Sequence, residues 1–176
     1  QDHQASVSPQ GRPKVERAPL GGRAPHAVGN RGGLFAVKSH LHAVPLHAIA
    51  PLRVGMLGLG TVGMGTYTVL LRNAELIAAR TGRSIEIAMV AVRNLARAAR
   101  LVDDEEVELV DDPFLVVNHP GIDVVVEVIG GTTLARELVL QAISNGKHVV
   151  TANKALLAVH GSEIFAAAQA QGVVVA

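Results

Sequence analysis

The sequence predicts an α/β fold: a doubly wound, mainly parallel sheet with helices on both faces, preceded by a tail without regular structure. Three observations lead there. Short apolar runs alternate with helical patterns from residue 51 onward, the arrangement that right-handed βαβ crossovers impose. The first run ends directly in Gly58-Leu59-Gly60-Thr61-Val62-Gly63, a glycine spacing that belongs between a strand and a helix. The run over 122–129 is Val-rich, broken only by Asp123 and Glu127, as in strands covered on both faces.

The elements follow in order. Residues 52–57 read as strand one, and the glycine turn opens a helix whose pattern runs through Val69, Leu70, Leu76 and Ile77 to a stop at Thr81-Gly82-Arg83. Residues 84–92 carry Ile85, Ile87, Met89 and Val90 as strand two. Asn94 caps a short helix through Leu101, and 107–110 is a brief third strand. Asp112-Pro113 sets an N-cap before the proline favoured at a first helical position, in a helix through Val117. His119-Pro120-Gly121 turns the chain into 122–129, a central strand. Gly130-Gly131-Thr132-Thr133 then opens a helix with Leu134, Leu138 and Ala142 on one stripe, Val139 and Ile143 beside it, and Asn145-Gly146 as a left-handed stop. Residues 147–150 form the next strand, and Thr151-Ala152-Asn153-Lys154 leads into a short helix. Gly161 breaks that helix, Ser162 caps another through Gln169, and 172–176 starts one more strand. This is the Rossmann type of architecture, over 51–176.

Composition narrows the function classes. With no cysteine there is neither a disulfide framework nor a thiolate metal site. No apolar stretch approaches the roughly 18 residues that span a bilayer. Four aromatics (Phe35, Tyr67, Phe114, Phe165) and a net charge of +1 offer no stacking platform and no phosphate-seeking field, so nucleic acid is not an expected partner. Within 1–50, six Lys/Arg face two Asp/Glu, and five prolines and two Gly-Gly pairs interrupt any period. That segment reads as a disordered or low-complexity tail; three serines and interrupting prolines speak against a transit peptide. His26, His42 and His47 begin similar triplets, but irregular spacing and the lack of nearby carboxylates argue against a metal repeat, and no metal site is expected.

Ligands bind such sheets at the carboxyl ends of the strands, where the strand order reverses. In the first turn, Gly58 permits the bend, Gly60 admits a pyrophosphate, and Gly63 lets the helix pack on the strand, with Gly65 extending that contact. The helix N-terminus supplies unpaired N–H groups and partial positive charge, so a dinucleotide is the expected guest. After strand two stands Val92-Arg93-Asn94, where a carboxylate for the ribose hydroxyls of NAD is usual. Arg93 could pair bidentately with a 2′-phosphate, favouring NADP with NAD still possible, or could be a solvated loop arginine. Lys154 follows a strand end on the nicotinamide side; it could polarise a carbonyl or hand a proton to an alkoxide, or could be a surface lysine at a turn. The acidic stretch 103–112 reads as a solvated loop. Glu127, a carboxylate in an apolar strand, is either a functional group or an acceptor for loop N–H groups. His119, His148 and His160 are too scattered for a metal set, and Ser162 has no partner for nucleophilic catalysis.

Three blocks resemble homoserine dehydrogenase: Gly58-Leu59-Gly60-Thr61-Val62-Gly63-Met64-Gly65, Val124-Val125-Val126-Glu127-Val128-Ile129-Gly130-Gly131, and the run from Asn145-Gly146-Lys147-His148 through Thr151-Ala152-Asn153-Lys154-Ala155-Leu156-Leu157. The resemblance covers 53–176 and is to the nucleotide-binding half of the monofunctional bacterial type. It implies a cytoplasmic enzyme that reduces aspartate 4-semialdehyde to homoserine with NADPH or NADH, on the route to threonine and methionine. It also implies that Gly58, Leu59, Gly60, Thr61, Val62, Gly63 and Gly65 hold the pyrophosphate and that Arg93 lies near the adenosine ribose. Thr132 and Thr151 would line the cofactor cleft, and Lys154 would stand near nicotinamide and substrate as the catalytic candidate. The family's substrate domain, with an acidic substrate ligand, a second lysine and its aspartate partner, a sodium site and most homodimer contacts, has no counterpart in these blocks. The 176 residues are therefore expected to bind cofactor but hardly turn over. The alternative is a stand-alone, non-catalytic dinucleotide-binding module.

Overall fold

The computed structural model describes residues 49–176; the tail read over 1–50, with its His triplets, falls outside the described residues except for Ile49 and Ala50. The elements are β1 (Leu52–Leu57), α1 (Thr61–Arg72), α2 (Ala74–Thr81), β2 (Ile85–Ala91), α3 (Leu95–Ala98) and β3 (Glu108–Val110), then α4 (Pro113–Asn118), β4 (Val124–Glu127), α5 (Thr133–Ser144), β5 (His148–Thr151) and α6 (Lys154–Gln171). The sheet has the order β3-β2-β1-β4-β5, and every pairing is parallel. From β1 the chain first winds outward through β2 and β3, then returns to β1's other side for β4 and β5. The switch point therefore lies between β1 and β4. Beyond β5 the chain starts a further strand, with Val175 bridged in parallel to Val149.

Both faces of the sheet are covered, since side chains alternate along the strands, with one irregularity at Ala88 that puts Ile87 and Met89 on opposite faces. Leu57, Met89, Val125 and Val149 meet α4, α5 and α6 through Val116, Leu138, Ile143, Leu156 and Ile164 on one face. Val54, Met56, Ile87 and Val126 meet Tyr67 of α1 with Val102 and Val107 on the other. Leu138 is fully buried at the centre of the first cluster, so truncating it to Ala would cost about 2–5 kcal/mol.

At the amino ends of the strands the polar groups are joined to one another. Arg53 pairs with Glu86 at 3.2 Å and Arg83 with Asp123 at 3.2 Å, while Arg83 Nε donates to Ala50 O at 2.7 Å. Asp123 also accepts the Arg53 N–H at 2.9 Å. Lys147 is buried and donates to the carbonyls of His119 at 2.6 Å and Ile122 at 2.9 Å. Burial lowers the pKa of its ammonium, partly opposed by Asp123.

The structure corrects the expected element pattern in several places. The first helical pattern is two helices: the Asn73 side chain donates to Val69 O at 2.8 Å, competing with the backbone and ending α1. The two short helices expected around Gly161 are the single helix α6. A mid-helix glycine costs about 1 kcal/mol relative to Ala, less than the burial of Leu156 and Ile164 on either side contributes. The run 122–129 is a strand only over Val124–Glu127, and the Asn94-capped helix ends at Ala98, before Leu101. Leu134 is exposed rather than part of the core stripe, whose members are Ala135, Leu138, Val139, Ala142 and Ile143.

Candidate functional site

The glycine turn sits at the carboxyl end of β1, beside the switch point. Gly58 has φ +100°, and its N–H donates to Ala91 O at 2.9 Å, tying the turn to the end of β2. A side chain at Gly63 would place Cβ 2.4 Å from the Gly58 carbonyl oxygen, so α1 seats on the turn only with glycine there. Gly60 instead faces open space, with nothing within 4 Å of a Cβ built on it. Gly65 is also open, which corrects the expectation that it extends the helix contact. Two residues beyond Gly63 is about 200° round a helix, so Gly65 points away from the strand.

No side chain caps α1, and its first intrahelical bond is from Met64 N–H to Gly60 O at 2.8 Å. The N–H groups of Thr61, Val62 and Gly63 precede that bond and lie at the positive end of the helix dipole. The helices α3, α4 and α6 are closed by Asn94, Asp112 and Asn153 side chains, whereas α5, like α1, begins without a side-chain cap, at Thr132.

A cleft of about 580 Å³ opens over this end of the sheet. Gly58, Leu59 and Gly60 form its floor, Val128, Ile129, Gly130 and Leu134 one wall, and Arg93, Asn94 and Arg97 the other. Ala98, Leu101, Asp111 and Pro113 also line the cleft, so the acidic stretch is not wholly removed from the site. Arg97 went unnoticed in the sequence; the signal was its spacing of four from Arg93, across the cap that Asn94 provides. Thr61, Val62, Gly63, Gly65, Thr132, Thr151 and Lys154 do not line this cleft.

Thr132, Thr151 and Lys154 instead belong to a second group at the carboxyl ends of β4 and β5. Glu127, fully buried at the end of β4, accepts hydrogen bonds from Ile129 N–H at 3.0 Å and Gly130 N–H at 3.3 Å through Oε1. Its Oε2 accepts the Thr151 hydroxyl at 2.5 Å. Thr151 Oγ1 in turn accepts Asn153 N–H at 3.0 Å, and Asn153 caps α6 by accepting Leu156 N–H at 3.0 Å while donating from Nδ2 to Gly131 O at 2.6 Å. Lys154 is the exposed first residue of α6. A buried carboxylate with three donors is thus the acceptor for loop N–H groups that the sequence allowed, and it spans two loops rather than one.

The described residues contain no cluster of three or more His, Cys, Asp or Glu that could hold a metal ion, and no helix long and apolar enough to cross a membrane.

Comparison with known proteins bears on this arrangement. The family model for the homoserine dehydrogenase NAD-binding domain matches residues 58–176. A homoserine dehydrogenase of Pseudomonas aeruginosa is 60% identical over 111 residues, which are 63% of this chain and 25% of that protein. Its namesake in Methylobacillus glycogenes is 63% identical over 93 residues, 53% of this chain and 22% of that one. The crystal structure of a homoserine dehydrogenase from Thiobacillus denitrificans superposes with a TM-score of 0.67 at 62% identity, covering 71% of this chain and 28% of its own. That of S. aureus gives 0.66 at 32% identity, over 72% and 33%. The chain spans about a quarter of the length of the curated relatives it matches.

Proposed function

The chain belongs to the homoserine dehydrogenase NAD-binding domain family, and from that premise we propose that it is the nucleotide-binding part of a cytoplasmic, NADP-preferring homoserine dehydrogenase. The observation that carries the reading is the floor of the cleft. Gly63 and Gly58 seat an uncapped helix against the turn, and Gly60 leaves room above it, a cradle suited to a pyrophosphate. A nicotinamide dinucleotide fits that donor set, and when bound it supplies the hydride for reducing aspartate 4-semialdehyde to homoserine, towards threonine and methionine.

This chain's own residues then divide the work. The N–H groups of Thr61, Val62 and Gly63 meet the pyrophosphate charge at the α1 dipole, and Leu59 flanks it from the turn. Arg93 and Arg97 present two guanidinium groups on the wall where the adenosine ribose would lie, which supports NADP over NAD because a 2′-phosphate accepts bidentate pairing. Thr132, heading the uncapped α5, and Thr151, fixed by Glu127, border the nicotinamide side. Lys154 at the head of α6 is the candidate to hold a proton for the developing alkoxide. The semialdehyde, and the homodimer expected of the whole enzyme, require the family's substrate domain.

Two measurements test this. Titrating the chain with NADPH and NADH should show saturable binding. Arg93→Ala should weaken NADPH about tenfold while leaving NADH within about twofold; equal effects on both cofactors would remove the case for NADP. Grafting residues 51–176 onto the remaining part of the Pseudomonas aeruginosa relative should give a chimera that reduces aspartate 4-semialdehyde and loses that activity in Lys154→Ala. A chimera that binds NADPH without turnover would instead favour the non-catalytic module.

A further inference from the structure

We propose that Glu127 is a positioning residue: its buried carboxylate clasps the β4–α5 loop to the β5–α6 loop and thereby sets where the head of α6, with Lys154, stands relative to the dinucleotide cleft. The inference rests on the reading of this end of the sheet as the cofactor side.

The geometry is specific. Glu127 is fully buried in a strand whose other members are valines, and among the described residues it has no cationic partner; its partners there are two backbone N–H groups and one hydroxyl. A carboxylate offers about four lone-pair sites and no donor, so three converging donors suit it, whereas a neutral amide keeps one accepting oxygen and can hold Thr151 only by reversing the bond, leaving the hydroxyl proton without its acceptor. The two oxygens are divided between the loops: Oε1 serves Ile129 and Gly130, which form a wall of the cleft, and Oε2 serves Thr151, which opens the loop to α6.

The second loop returns the link. Thr151 holds Asn153 N–H, and the Asn153 side chain both caps α6 and donates to Gly131 O in the first loop. The result is a closed circuit, Glu127 to Thr151 to Asn153 to Gly131, joining the wall of the cleft to the residue directly before Lys154. Gly130 and Gly131 both have positive φ, +76° and +73°, a bend that glycine adopts at little steric cost, and Asn153 Nδ2 donates into that bend at Gly131 O. Ligand contact at the Val128–Gly130 wall and the placement of Lys154 are thereby coupled through one buried group.

Backbone hydrogen–deuterium exchange on the 176-residue chain reads the clasp directly, with no cofactor present. Glu127→Gln should accelerate exchange about tenfold at Ile129 and Gly130 and also at Asn153 and Leu156, in the other loop, while the β1 amides keep their protection. Acceleration confined to Ile129 and Gly130 would overturn the clasp. Should Glu127→Gln fail to fold, Thr151→Val removes only the inter-loop hydroxyl: Asn153 and Leu156 should exchange faster, Thr151→Ser should restore them, and unchanged exchange in Thr151→Val would also overturn the proposal. In NADPH titrations each of the two variants should weaken binding about tenfold, and the double variant should be no weaker than either single one. Additive losses would mean two independent loops. Failure of the wild-type chain to bind NADPH would instead reject the cofactor reading and leave the exchange result standing on its own.

Discussion

At the amino ends of the strands charged side chains find one another, whereas at the carboxyl ends bonded groups and open helix heads stand side by side. Arg53, Glu86, Arg83 and Asp123 form cross-strand pairs, and the Lys147 ammonium is consumed by two carbonyls. Across the sheet, α1 and α5 begin uncapped, Gly60 faces open space, and two arginines line a cleft. The same five strands thus carry one end built for stability and one end where, beside the capped α3, α4 and α6 and the saturated Glu127, the heads of α1 and α5 keep donors for a ligand. Substitutions at the two ends should separate accordingly, the first kind moving the unfolding midpoint and the second moving affinity.

The largest effect is expected where the open end depends on a contact with no slack. Gly63→Ala would push Cβ into the Gly58 carbonyl at 2.4 Å, and we expect about a hundredfold loss of NADPH affinity together with about 2 kcal/mol of stability, read by titration and urea unfolding. Unchanged affinity would break the comparison at its floor. Next comes the closed end. Lys147→Met takes the ammonium donor from the buried Ile122 carbonyl and from His119 O, which keeps only the Ile122 N–H at 3.3 Å, and should cost about 2 kcal/mol in urea unfolding at neutral pH, with NADPH affinity of the folded protein unchanged.

That substitution also carries a pH signature. Burial lowers the Lys147 pKa, so the folded chain binds this proton less tightly than the unfolded one, and its contribution to stability grows as pH rises towards the free-lysine value of about 10.4. The stability gap between wild type and Lys147→Met should widen as pH rises from neutral towards about 10.4, flat profiles arguing against it. The smallest effect should come from neither end. Among the described residues, the Tyr67 hydroxyl under α1 is a buried polar atom without a partner, and Tyr67→Phe should lie within about 1 kcal/mol of wild type at pH 7. Burial first, then Asp104 and Asp103, raise the Tyr67 pKa, so wild type should lose stability above about pH 10 as the unfolded phenol ionises, a loss that Tyr67→Phe should reduce.

Much of the fold was legible because its signals are local. The first strand, the glycine turn, the Asp112-Pro113 start and the Asn145-Gly146 stop each reside in a few neighbouring residues, and the structure has them at those positions. What escaped the sequence was decided by distant neighbours. Gly161 reads as a breaker by propensity, yet buried Leu156 and Ile164 carry the helix across it. The periodicity of Val69, Leu70, Leu76 and Ile77 runs through Asn73 without a gap, hiding the hydrogen bond that divides α1 from α2. In the candidate site, Arg97, Asp111 and Pro113 come together only through the winding of the sheet, so no motif could name them. Glu127 stood out as a carboxylate among valines, but its link to Thr151 needs the β4–β5 register, which pairs the two directly.

The central place of β1 has a consequence for the order in which the molecule assembles. Its pairing with β2 joins Arg53 to Glu86, 33 residues on, but on its other side Arg53 meets Asp123, 70 residues on. That second closure spans more chain than the other strand pairing made by β1, and loop entropy makes it the slower of the two. A nascent chain emerging as far as β3 already carries the whole glycine turn and Arg93, yet it lacks the Val128–Gly130 wall. The turn is written early in the sequence and becomes a binding site late in folding, so a dinucleotide can trap the finished sheet but cannot guide its first half.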